Sequence, residues 1–403
     1  MSHRAWSAVA VLLLAAALVV AGWWYQTQHA AAQSAASALT VNVTSGSDRG
    51  PGTLREALFV AATAHAPARI VLQVPEVSVE TPLPPVVAAH GVAIVGQGTV
   101  IDAHALGGGP VLDVAAPHAS IEGLTVRGCT GSAVLLRSRQ FRLLSTTIER
   151  CDVAVDVAAN AGDVLLEHDR FSGDRIGVRF AAATPDTSVV GNRFEGESDA
   201  GIWAVRSDAE ARGTPVLVRD NRFDRDHTGV VAGNVAVQIE HNEFLRSQDA
   251  AVHLVGAGAN VRNNHVSGGA AMGIIAENAN GAVIENNELD GLPAYGIMVR
   301  GSGNTLVRGN RIYNCGYGLA FVLGNAGSPS TAVSNTVIEP RFNGIDVIGD
   351  SPILRRNQIV RPHALALNVQ DYRPPDGRTV RGEPFLEDNS FGGAPSRLAE
   401  SHR

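Results

Sequence analysis

The 403-residue chain has no lysine: all 32 of its basic residues, histidine aside, are arginine. A lysine general base and a lysine Schiff base are therefore excluded. Aromatic residues make up only 5% of the chain, and there are three cysteines and three methionines. Three cysteines exclude a disulfide-dense scaffold, and an odd number leaves at least one thiol unpaired. The net charge of −7 is spread over both signs, without the basic stripe that nucleic-acid binding requires. No nucleic-acid partner is expected. What the chain does have is 45% hydrophobic residues and 43 glycines, enough for a large core interrupted by many turns.

The N-terminus reads as an export segment. After "MSHR" comes "AWSAVAVLLLAAALVVAGWWY", a run of about twenty uncharged residues, long enough to span a bilayer as a helix. Trp23, Trp24 and Tyr25 stand where an interfacial aromatic belt lies. The small residues Ala30–Ala32 offer a cleavage site, so residues 1–38 read as a signal peptide or a signal anchor, with the belt favouring the anchor. Arg4 keeps the short N-terminus inside. The body is then expected in the periplasm or at the cell surface, tethered to the inner membrane.

A repeat dominates the rest. Units of the form Asn-x-apolar recur at Asn192, Asn221, Asn242, Asn264, Asn287, Asn310, Asn335 and Asn357, with Thr146 and Asp169 in the same slot upstream and Asn389 as a late outlier. From Thr146 to Asn357 the steps are 23, 23, 29, 21, 22, 23, 23, 25 and 22 residues. A second marker, a Gly-apolar pair at Gly177, Gly201, Gly229, Gly273, Gly296, Gly318 and Gly344, keeps the same step. Two markers with one period define a solenoid. Each period holds three short alternating runs, as in "GIMVRG", "TLVRG" and "RIYN", and alternation at period two means strands. The chain is expected to be all-β, a three-sheet parallel β-helix of ~22-residue coils. The asparagines would stack as a ladder at one corner, taking the left-handed backbone conformation there. The glycines would relieve a second corner.

The body opens with "TSGSDRGPGTLREALFVAATAH", in which Thr53 and Glu56 fit a capping box for a helix over residues 53–65. Its apolar face, Leu54, Ala57, Leu58 and Ala61, would cover the open end of the solenoid. The β-helix is expected over residues 39–371, followed by a degenerate last coil and loose tail over 372–403. "TSGSDRGPGTLREAL", then "GQGTVIDAH" and the "GN-x-F … GI" coils, together resemble the right-handed parallel β-helix superfamily of pectate lyases and their relatives. The resemblance implies the right hand of the coil. It also implies a glycan groove along the sheet that follows the Asn-containing strand. It does not select one activity among lyases, uronan epimerases, galacturonases, metal-site maturation proteins and non-catalytic surface proteins.

Alternation puts Arg179, Trp203, Val231, His253, Ile275, Met298, Ala320, Asp346 and Asn368 in one outward row of that sheet. A second row holds Glu277 and Arg300. Asp226, His227, Asp249 and His253 form the densest polar group, flanked by Trp203, Glu277 and Arg300. On an acidic glycan, Arg179 or Arg300 would bind a carboxylate, His227 or His253 would move a proton, and Trp203 would stack on a sugar. Asp226 and Asp249 would orient a histidine or share a calcium ion with the substrate. A lyase or C5-epimerase of an acidic glycan is the leading reading. A glycan- or partner-binding scaffold for envelope or exopolysaccharide assembly is the alternative. A periplasmic metal-site maturation protein, using His253, Met272 and Met298, is a third. The galacturonase Gly-His-Gly set and the epimerase Asp-Pro-His-Asp set are absent; "DRDHTG" (residues 224–229) is a faint echo of the latter. Cys129 and Cys151, 22 residues apart, would be vertical neighbours, either bridged or stacked as thiols, with Cys315 in the same slot far above.

Overall fold

The computed structural model describes residues 38–397 apart from 183, 207–213, 257–258, 270–271, 326, 376–377 and 393. The expected export helix falls in residues 1–37, outside the described residues. Among the described residues no helix is long and apolar enough to cross a membrane.

The chain winds through three parallel sheets of 15, 13 and 13 strands. Sheet one begins with Leu39–Val43, sheet two with Glu76–Ser78 and sheet three with Leu112–Val114. From Val92–Val95 to Leu367–Gln370 each coil contributes one strand to each sheet, and the strands pair in parallel with their counterparts in neighbouring coils, as Val216–Arg219 does with Val237–Glu240. It is a right-handed parallel β-helix of about 23-residue coils. The predicted cap is present as helix α1, Leu54–Ala62, with Leu54, Ala57, Leu58 and Ala61 buried. Thr53 accepts a hydrogen bond from the Glu56 amide, and Glu56 Oε2 accepts one from the Gly52 amide at 2.6 Å, one residue earlier than a standard capping box places it.

The asparagine ladder exists and explains the Asn marker. Asn264 Oδ1 accepts from both the backbone N and the Nδ2 of Asn242, at 2.9 and 3.0 Å. Asn264 Nδ2 in turn donates to Asn287 Oδ1 and to the Ile239 carbonyl. The pattern runs from Asn192 to Asn389, which is the last rung and no outlier. The asparagines are not the left-handed residues, however. Positive φ belongs to the residue just before each one: Asp220, His241, Asn263, Asn286, Ser334 and Arg356 all lie between 51° and 56°. The Asn holds the corner shut from inside, and its neighbour makes the turn.

The glycine marker also has a different cause from the expected one. Gly177, Gly201 and Gly229 lack positive φ. They face the stacked phenyl rings of sheet two, Phe171, Phe194, Phe223 and Phe244, whose centroids are 4.6–4.8 Å apart. A Cβ on Gly201 would sit 2.7 Å from Phe223 Cδ1 and 2.8 Å from the Gly229 carbonyl oxygen. Space for the phenyl column, rather than backbone freedom, requires glycine there.

Cys129 and Cys151 form a disulfide between neighbouring coils. Cys315 is buried and its thiol donates to the Tyr313 carbonyl, while burial pushes its pKa up to about 11. Past Asp371 the chain makes an antiparallel bridge, Tyr372 with Val380, and then resumes winding: Phe385–Glu387 joins sheet one and Ser396–Arg397 joins sheet three.

Candidate functional site

The outward faces of the three sheets differ in how far they satisfy themselves. On sheet one, Arg219, Glu240, Arg262, Glu285 and Arg308 follow one another in register with alternating sign. Arg262 donates to Glu240 at 2.7 Å and Arg308 to Glu285 at 2.9 Å. Such a ladder needs no ligand.

Sheet three is different. Its register brings Arg179, Trp203, Val231, His253, Ile275 and Met298 into one vertical row. That row continues through Ala320 and Asp346 to Asn368. Val205, Gly233, Val255, Glu277 and Arg300 form the second row. Both rows are those the alternation predicts.

Within these rows the polar residues do not act alike. Glu277 stands between His253 and Arg300: His253 Nε2 lies 3.5 Å from Glu277 Oε2, and Arg300 Nη1 lies 3.6 Å from Glu277 Oε1. His253 Nε2 is out of solvent contact and makes no hydrogen bond. With Glu277 on the Nε2 side, Nδ1 is the nitrogen left to face a ligand. Arg300 is 54% exposed, so its guanidinium can turn to a second anion. Trp203 is half-buried two coils below His253, about 10 Å away by strand spacing.

Three expectations need correction. Asp226 is not in the groove; it is fully buried at the corner between sheets two and three, where its Oδ1 accepts from the Gly196 and Glu197 amides. An acidic side chain at a corner can serve as a turn cap inside the coil as readily as it can face solvent, and "DRDH" alone does not separate the two. With Asp226 in the core, the calcium bridge between Asp226 and Asp249 loses one ligand. Arg179 is already engaged, donating from Nε and Nη2 to Asp156 one coil below at 2.9 and 2.6 Å. The signal was legible, since Asp156 occupies the preceding slot of the same row. Finally, the polar group is not one cluster. His227 is exposed and Asp249 half-buried at the corner, with the Asp249 amide donating to the His227 carbonyl at 2.8 Å. His253 lies four residues further along the strand than Asp249, roughly 13 Å at 3.3 Å per residue. For the soft-metal set, Ile275 separates His253 from Met298 in their row. Among the described residues no group of three or more His, Cys, Asp or Glu is placed to hold a metal.

The corners hold a feature the sequence reading passed over. Asp174, Glu197 and Asp226 stack on consecutive coils, all buried. Burial raises the pKa of each above the usual carboxylate range, and the mutual approach of Glu197 and Asp226 raises Glu197 further. These are structural groups on the inside of the coil.

The winding, the ladder and the outward row define a parallel β-helix with the pectate-lyase-like fold. The model of the right-handed β-helix region matches residues 112–260 and 210–359, more than half of the chain, and the chain belongs to that family. Among curated proteins no sequence matches it. Solved structures similar to it include a PL6 alginate lyase in complex with a trisaccharide, with TM-score 0.56 and 11% identity over 91% of this chain and 87% of that one. A PL6 family polysaccharide lyase from Pseudopedobacter saltans aligns with TM-score 0.52 and 16% identity over 87% and 92%. The catalytic unit of a GH87 α-1,3-glucanase from Streptomyces thermodiastaticus aligns with TM-score 0.52 and 14% identity over 90% and 71%. At these identities the likeness is one of fold.

Proposed function

We propose that this protein binds an acidic glycan along the outward face of sheet three and acts on it as a lyase or C5-epimerase. The observation that carries the reading is the contiguous set His253, Glu277 and Arg300 on adjacent coils, with Trp203 further down the same face. Arg300 would pair with the uronate carboxylate, which acidifies the proton on the neighbouring carbon. His253 would remove that proton, with Glu277 holding the ring and stabilising the imidazolium that forms. In a lyase the electron pair then forms the C4=C5 double bond as the C4–O bond breaks, and the departing oxygen takes up a proton. In an epimerase the carbon is reprotonated from its opposite face. The two chemistries share the first step, so one site serves either.

The second reading, a non-catalytic scaffold that binds a glycan or partner, is favoured by the loss of Asp226 and Arg179 from the groove. Metal-site maturation is not carried forward, because Ile275 stands between His253 and Met298 in their row. We also propose that residues 1–38 take the chain across the inner membrane and hold it there; fractionation of cells expressing the full chain and a version lacking these residues tests this directly.

The test of activity is absorbance of unsaturated uronate ends across a panel of uronans, with and without added calcium, joined to solvent proton exchange at C5 for epimerisation. His253→Ala and Arg300→Ala are expected to abolish turnover. Unchanged turnover in both variants would remove the site assignment. Binding by the wild-type chain with neither elimination nor exchange would establish the scaffold reading instead.

A further inference from the structure

Sheet two carries a charge pattern unlike that of sheet one. Its outward row places Arg170, Arg193 and Arg222 in register on three consecutive coils, each about 4.8 Å from the next by strand spacing. Arginine cannot shed its charge in a protein, and like charges directly opposite on adjacent strands repel. The alternating ladder of sheet one avoids that arrangement; sheet two keeps it. A single carboxylate compensates in part. Glu195, in the second outward row, accepts from Arg170 Nη2 at 3.0 Å and lies 3.3 Å from Arg193 Nε, while Arg225 Nη2 donates to its other oxygen. Among the described residues no other acid pairs with these three arginines, so one negative charge answers three positive ones. Depth sharpens the imbalance: the Glu195 side chain is 16% exposed, against 52%, 47% and 53% for Arg170, Arg193 and Arg225. The carboxylate lies beneath, and the guanidinium groups form the surface. Arg222 is turned to Glu243 in the coil above.

A half-exposed guanidinium fork matches the geometry of an acidic group that can accept two parallel hydrogen bonds. The arginine row runs in line with the solenoid axis over about 10 Å by strand spacing. That length suits successive acidic groups of an extended chain better than one small anion. None of the large exposed hydrophobic residues among the described residues lies on these strands. The face therefore lacks the apolar side chains that seat a protein in a bilayer surface. The same three coils carry Arg179, Trp203 and Val231 on sheet three, and Arg225 stands at the corner between the two sheets. We infer that Arg170, Arg193 and Arg225 form a second docking surface on sheet two for an acidic glycan, carboxylated or sulfated, outside the sheet-three groove. The surface stands on this charge pattern alone and does not require sheet three to be catalytic.

Isothermal titration calorimetry of the full chain with polygalacturonate, polymannuronate and dextran sulfate tests it. The titrations use the Arg300→Ala variant as parent, which removes the carboxylate partner of the groove and leaves sheet two to be read by itself. The parent is expected to bind at least one of the three at low salt and to lose that binding at high salt. Arg170→Gln with Arg193→Gln should weaken it about tenfold, and Arg225→Gln alone about threefold. Arg225 still bonds Glu195 in the double variant, so the carboxylate keeps a partner; matching thermal midpoints check the fold. Arg262→Gln with Arg308→Gln makes the same change of net charge on sheet one and should leave the affinity unchanged. Absence of binding in the parent, or parental affinity in the sheet-two variants, overturns the surface. So does an equal loss in the sheet-one pair, which would assign the effect to net charge. Weaker association of the Arg170→Gln with Arg193→Gln variant with phosphatidylglycerol vesicles, beside an unmoved glycan affinity, would give the face to a membrane instead. Failure here is separable from failure at His253: a wild-type chain without turnover whose glycan binding depends on Arg170 and Arg193 keeps this surface and removes the catalytic reading, and the reverse pattern does the opposite.

Discussion

Asp169 occupies a rung that asparagine fills in the coils above, and replacing it with asparagine exposes the cost of that difference. Its side chain is 2% exposed; Oδ1 accepts from the Thr146 amide at 2.9 Å, and its backbone N donates to Asn192 Oδ1. Its Oδ2 has no partner. In the next rung the corresponding atom is an NH₂, donating to the Leu166 carbonyl and to Asn221 Oδ1. Leu143 is the register partner of Leu166, so Asp169 Oδ2 points into a place where only acceptors wait. Burial raises its pKa to about 8, so the folded carboxyl is protonated at neutral pH. The unfolded carboxyl releases its proton near pH 4. Between about pH 4 and 8 the folded state therefore holds more protons than the unfolded state, and stability falls by about 1.4 kcal/mol per pH unit. By pH 7 the loss is about 4 kcal/mol. Asn does not titrate. In Asp169→Asn, urea unfolding at pH 4 should lie within about 1 kcal/mol of wild type, and the variant's advantage should widen steadily toward pH 7. Other titrating groups cancel in the difference between the two proteins. A difference that stays flat from pH 4 to 7 would refute the protonated-rung argument.

Glu197→Gln acts on the corner acids in the same sense: the raised carboxyls of Glu197 and Asp226 cost stability as pH rises above about 4, so the variant's thermal midpoint should gain on wild type at pH 8 and match it near pH 4. Equal midpoints at pH 8 would count against it. Asn264→Ala removes the acceptor for two donors of Asn242 and the amide that donates to the Ile239 carbonyl and to Asn287; a loss of about 3 kcal/mol in urea unfolding is expected, and less than about 1 kcal/mol would deny the ladder its structural role. Gly201→Ala should cost about 1–3 kcal/mol by crowding Phe223, and the double variant Gly201→Ala with Phe223→Leu should recover part of it; additive losses would show that the phenyl column is not what requires glycine.

The winding was legible because it rests on periodicity, which survives every local irregularity. A 22-residue step between equivalent asparagines means vertical neighbours, whatever each corner does in detail. The corners themselves were less legible. Sequence shows which residue recurs, but left-handed φ falls on the residue before each asparagine, where Asp220, His241, Ser334 and Arg356 share no common chemistry. The recurring residue is the one whose side chain bonds to its own copies; the turning residue needs only to tolerate the turn, so its identity drifts. The glycines were assigned to backbone freedom for a similar reason: φ is the usual motive for glycine, and the phenyl rings that claim the space lie about twenty residues away in the chain.

The candidate site was legible to the extent that it lies on a strand. Trp203, His253, Glu277 and Arg300 stand in the rows that alternation predicts, because strand geometry fixes which way each side chain points. Asp226 failed because it belongs to a corner, where one residue of shift turns a side chain from solvent to core. His227 precedes a strand and is exposed, while Asp226 beside it is fully buried. The same geometry explains why the chain can carry buried carboxyls at all. A stacked corner offers each Asp an amide from the coil below, as the Cys151 amide serves Asp174 and the Thr146 amide serves Asp169, and that one bond fixes the carboxyl while its second oxygen keeps a proton. Acidic residues on this scaffold therefore divide into two populations by position alone. Those on strands face outward, available to arginine or ligand; those that follow the left-handed corner residue face inward, where burial raises their pKa. Apart from lone exceptions such as Asp346, chemistry belongs to the first population, and the dependence of stability on pH belongs to the second.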